Sequence, residues 1–139
     1  MTATTNERDT QERRGDTEQY PLAAGFASLK GTIAVLQNGY LTAGVTATGL
    51  VAVGRFNKSI SNASGLAGAM SAPINRGKFR WFNSSGADLI TQANVGVDCY
   101  IVDNQTVALT SGSGTRSRLG KIMGVEANGD VWVQVGLGL

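Results

Sequence analysis

The chain has 139 residues, a net charge of +2, 16% charged residues, 19 glycines and only two prolines. That length fits one domain with a tail, the small charge gives no electrostatic argument for nucleic acid, and the alanine- and valine-rich apolar share points to a thin β-type core with many turns. With no histidine and a single cysteine, Cys99, the sequence excludes Ser-His-Asp and Cys-His nucleophiles, an intramolecular disulfide and a histidine-ligated zinc.

Residues 1–20, "MTATTNERDTQERRGDTEQY", are polar. Five acids against three arginines give the segment a charge of −2, leaving +4 for the rest of the chain. So little apolar surface cannot offset the entropy of ordering, which predicts a segment disordered by itself, either a floppy terminus or an extended arm that orders on a partner. The segment lacks the apolar stretch of a signal peptide, and no later run approaches the ~18 apolar residues of a membrane span.

From Tyr20-Pro21 the pattern changes. "LKGTIAVLQNGYLTA" predicts a hairpin around Asn38-Gly39, because both residues tolerate positive φ. "GLVAVGRF" (49–56) predicts a strand covered on both faces. The small-residue stretch 57–75 follows. "GKFRWF" (77–82) alternates, sending Phe79 and Trp81 to one face and Lys78 and Arg80 to the other. "SSGADLITQANVG" (84–96) predicts one helical turn near Asp88–Ala93. "VDCYIVD" (97–103) places Val97, Cys99 and Ile101 on one face. "RLGKIMGVEANGDVWVQVG" (118–136) predicts a hairpin around Asn128-Gly129, with Val131, Val133 and Val135 opposite Trp132 and Gln134. Short strands with regular turn signals indicate an all-β domain, a small barrel or sandwich with at most one short helix, over residues 21–139.

The stretch "ALTSGSGTRSRLGKI" (108–122) most resembles chemistry. A phosphate loop needs four residues between its glycines, then Lys and a hydroxyl, so that backbone N–H groups curl round the phosphates. Here Gly114 and Gly120 enclose five residues, Ile122 stands at the hydroxyl position, and a β-like run follows where a helix is needed. Ser117 occupies the third glycine of the dinucleotide pattern. A flexible loop between strands is the plainer account. The body has only five acids, Asp88, Asp98, Asp103, Glu126 and Asp130; Asp130 sits in a hairpin turn, Asp103 adjoins a strand end, and no pair is set across a cleft. Cys99 alternates with valine and isoleucine, which predicts a buried, inert thiol. Arg76, Lys78 and Arg80 beside Phe79, Trp81 and Phe82 could form a nucleic-acid strip, but the alternation separates cations from aromatics and favours a core strand with a basic outer face. Large aromatics beside arginine also suit a subunit contact.

Taken in order, several landmarks resemble the small capsid decoration (cement) proteins of tailed bacteriophages. These are "GLVAVGRF", the "QNGYL" hairpin, and the segments Phe79–Asn83, Asp88–Gly96, Tyr100–Val107, Gly114–Arg116 and Val125–Val133. The resemblance covers roughly residues 29–135 and leaves the arm outside. It implies a non-enzymatic, cofactor-free virion protein. Such a protein sits on the outer capsid surface as a homotrimer at three-fold or quasi-three-fold sites, after assembly in the host bacterial cytoplasm. The major capsid protein is the implied partner, with no nucleic acid and no membrane. Arm residues Arg8, Arg13, Arg14 and Tyr20 are the expected capsid contacts. Arg76, Arg80, Trp81, Arg116 and Arg118 are the expected subunit or capsid contacts. The rival readings are a tail- or fibre-associated module that binds host glycans and a β-barrel that binds single-stranded nucleic acid.

Overall fold

The computed structural model describes residues 2–11 and 15–139. The described chain is all-β, built from ten strands in two five-stranded antiparallel sheets. The first sheet comprises β1 (Thr17–Pro21), β2 (Ile33–Gln37), β3 (Tyr40–Ala43), β4 (Val51–Phe56) and β5 (Ser71–Asn75), in the order β1-β5-β4-β2-β3. The second comprises β6 (Gly77–Trp81), β7 (Asp98–Ile101), β8 (Val107–Ala108), β9 (Arg118–Val125) and β10 (Val131–Val135), in the order β6-β10-β9-β7-β8. A parallel bridge between Phe82 and Thr106 joins the two outer strands of the second sheet at one end and curls it towards closure.

Both expected hairpins form. Asn38 and Gly39 take φ of 51° and 85°, the left-handed pair that matches strand twist, and join β2 to β3. The turn at Asn128-Gly129 joins β9 to β10. Val131, Val133 and Val135 are fully buried, with Trp132 and Gln134 on the opposite, half-buried face. Two apolar clusters result. One gathers the inner face of the second sheet together with Ile33, Val35 and Leu50, so it spans both sheets. The other lies on the far face of the first sheet, around Leu22, Leu41, Phe56 and Ile74. Alternation along β2 explains the division, since Ile33 and Val35 face one cluster and Ala34 the other.

Four details differ from the sequence reading. The first sheet starts at Thr17, inside the segment assigned to the arm, because β1 pairs with β5 from Thr17↔Asn75 to Pro21↔Ser71. In place of one helical turn, two single 3-10 turns form at Gly86–Asp88 and Gln92–Asn94; the Asn94 side chain bonds locally to Thr91, and Asp88 is drawn to Thr110 and Arg116 on a distant loop. Val97, just before β7, and Val51, the first residue of β4, are exposed at 45% and 46%, so neither joins a core face. The loop at residues 109–117 is fastened to the body instead of hanging free, as its side chains show below.

Candidate functional site

The described residues carry their densest group of cations and aromatics around β6. Phe79 and Trp81 turn inward, with ring centroids 6.2 Å apart in an edge-to-face pair. Lys78 and Arg80 turn outward. Arg80 donates from Nε to Asp130 at 2.9 Å, a pair that ties β6 to the β9–β10 turn. Trp132 is the cross-strand neighbour of Arg80 and shares its face, so the outer surface is both basic and aromatic. The Trp132 indole N–H donates to Glu126 Oε1 at 2.7 Å, which fixes the ring. Sequence alternation along β6 alone misses Trp132, because the tryptophan arrives from a strand some fifty residues later.

Arg55 completes the group from β4. Its guanidinium lies 4.9 Å from the Phe79 ring centroid, a cation–π contact between the sheets. Two clefts run beside β6 and share Gly31, Arg80 and Trp81. One, of about 260 Å³, reaches Phe82 and Gln105; the other, of about 440 Å³, reaches Arg55, Phe79 and Trp132. Arg55 Nε and Trp81 Nε1 are buried N–H donors with no hydrogen-bond partner among the described residues, and both residues line the clefts.

The remaining expected contact residues are mostly engaged within the chain. Trp81 is only 5% exposed and belongs to the core, so it is corrected from a surface contact to a packing residue. Arg76 donates to the Leu137 carbonyl at 3.0 Å and so ties β5–β6 to the chain end. Arg118 and Lys121 both pair with Asp98, at 2.9 and 2.8 Å. The hydrogen bond from Lys121, then that from Arg118, holds the Asp98 carboxyl below its ordinary range against the opposing effect of burial.

Arg116 pairs with Asp88 at 3.1 Å and donates to the Thr110 carbonyl at 3.1 Å. Thr110 donates to the same carboxylate, and this bond is the first cause of the lowered Asp88 pKa. Ser117 is buried. Its hydroxyl donates to the Ala47 carbonyl at 2.7 Å and accepts from the Leu50 N–H at 3.0 Å. The glycine-serine stretch is therefore a folded corner whose Arg116 and Ser117 hold neighbouring segments. Of the arm residues, Arg8 is exposed, and Arg13 and Arg14 lie outside the described residues. Tyr20 belongs to β1 and packs half-buried on the second cluster, so it is corrected from an arm contact to a body residue.

Cys99 is buried in the core. Burial pushes its thiol up to about 12. An unfolded thiol ionises near pH 8.5, so the neutral buried thiol contributes fully below that pH. The contribution falls as pH rises towards about 12, with a slope of up to about 1.4 kcal/mol per unit. Urea unfolding at pH 8 and pH 10 is expected to show a larger alkaline loss for the native chain than for Cys99→Ala. An aromatic disulfide reagent is expected to label Cys99 only as fast as the protein opens.

Comparison with family models, with curated proteins and with solved structures gives no match.

Proposed function

We propose that this protein decorates and stabilises the capsid of a tailed bacteriophage, binding the outer surface of the major capsid protein lattice as a homotrimer. The observation that carries the reading is the join between an exposed polar segment, residues 2–11, and a β body whose two clusters close without it. A rigid body repeated by symmetry gives many identical contacts, and a tethered arm raises the effective concentration of each further contact. The landmarks behind the resemblance support it too. Phe79–Asn83, Tyr100–Val107 and Val125–Val133 fall together in the second sheet and its turns.

The test mixes purified protein with expanded capsids that lack decoration. Co-sedimentation and greater heat resistance of the shells are expected; failure of both removes the reading. Deleting residues 2–11 spares β1 and is expected to leave the melting temperature unchanged while weakening capsid binding. Undiminished capsid affinity of the truncated protein would exclude a role for the arm.

One observation favours a second reading. Trp132 beside Lys78 and Arg80 offers a stacking ring with two cations, the pairing that single-strand nucleic-acid binders use. It predicts oligonucleotide affinity that falls steeply with salt. Absence of binding at low salt would remove it.

A further inference from the structure

We propose that the open edge of β6 receives the arm of a second copy of this chain as an added strand, with Glu7 and Asp9 of that copy opposite Lys78 and Arg80. This goes beyond the decoration reading, since it concerns copies of the protein in solution with no capsid present.

The backbone fixes where the opening lies. Phe82 N–H donates to the Gln105 carbonyl and the Phe82 carbonyl accepts from Val107, so Phe82 turns its backbone away from β10. β6 pairs with β10 without a register break from Gly77 to Trp81. Backbone direction alternates along a strand, so Arg80 and Lys78 face the same outer edge as Phe82. Upstream, Arg76 N–H donates to the Asp16 carbonyl. Among the described residues the edge is thus covered before Lys78 and after Arg80, with a stretch two residues long at side-chain period that none of them pairs with, and the clefts lie beside it.

The chemistry of the opening selects an acidic strand. Arg55, Lys78 and Arg80 line the larger cleft, whose described lining holds no acid, and the one acid of the smaller cleft, Asp130, is already held by Arg80. Residues 2–11 supply a strand of that kind. They are exposed, and their hydrogen bonds are local, such as Thr4 to Asn6 and Thr10 N–H to the Arg8 carbonyl. In extended form Glu7 and Asp9 share one face at the same two-residue spacing as Lys78 and Arg80, so both pairs can be opposite at once. Arg8 then points to the other face, the one that carries Phe79 and Trp81. Main-chain bonds to the edge supply affinity and the charge pairs supply register.

Sedimentation of the full chain is the experiment, with two charge-reversed variants, Glu7→Lys/Asp9→Lys in the arm and Lys78→Glu/Arg80→Glu on the edge. Each variant alone is expected to associate about tenfold or more weakly than the native chain, from two lost pairs and the repulsion that replaces them. An equimolar mixture is expected to restore association, because each arm then meets an edge of opposite charge on the other variant. A monomeric native chain, an unaffected variant, or a mixture that fails to associate would overturn the proposal; the last outcome would place the arm on its own body. Arg80 also holds Asp130, so circular dichroism checks the edge variant for folding. Should it unfold, amide exchange decides: Lys78 and Arg80 amides are expected to exchange slowly in the native chain and fast after deletion of residues 2–11. Equal rates in the two proteins would overturn the pairing.

Discussion

Gly120→Val is expected to unfold the second sheet, with a loss of about 4 kcal/mol or more, a large share of the ~5–15 kcal/mol that holds a domain together. A β carbon on Gly120 would overlap the carbonyl of Gln134 and crowd Val133 on β10. Both obstacles are backbone or core, so no flexible side chain can move aside. β9 is the central strand, paired with β10 on one side and β7 on the other, so any separation there breaks two ladders. Gly124→Ala on the same strand is the control. A β carbon there meets nothing within 4 Å, and the change is expected to stay within about 0.5 kcal/mol. Urea titration of both variants measures the contrast. Similar midpoints for the two would show that strand spacing adjusts more freely than the geometry implies.

Asn83→Ala is expected to cost about 2–4 kcal/mol, from four hydrogen bonds lost at once and backbone groups left unpaired. The Asn83 amide donates to the Ile90 and Gly129 carbonyls at 2.8 and 3.0 Å. Its oxygen accepts from the N–H groups of Ser84 and Ile90 at 2.8 and 3.0 Å. One side chain therefore serves both backbone groups of the buried Ile90, as a neighbouring strand would, and pins the β9–β10 turn to the end of β6. A lower denaturation midpoint with faster exchange at the Ile90 amide is the expected signature. An unchanged midpoint would mean that water replaces the amide without loss.

Much of the fold was legible because alternation and turn chemistry act locally. The "QNGY" and "ANGD" turns and the alternating valines of β10 announce themselves within a few residues. The start of β1 was not legible. "TEQYP" carries no apolar period, and it becomes a strand because β5 offers an edge some 58 residues away. The same distance problem hid the surface around β6. Its own residues gave the inward and outward faces correctly, yet Arg55 and Trp132 reach it from β4 and β10, which local pattern cannot register. Arginine is ambiguous in sequence for a related reason. Arg116 and Arg118 looked like free contact residues, and the fold pairs them with Asp88 and Asp98, acids from other segments of the chain.

The position of β6 also sets a schedule. Its partner β10 follows it by about 50 residues, as the Arg80–Asp130 pair shows. At ~5–20 residues per second of synthesis, β6 waits roughly 3–10 s for that partner. During this interval both sides of a strand containing Phe79 and Trp81 are bare, the circumstance in which nascent strands stick to one another. Lys78 and Arg80 alternate with the aromatics, and their like charges work against the pairing of one newly made chain with the next until its own β10 arrives.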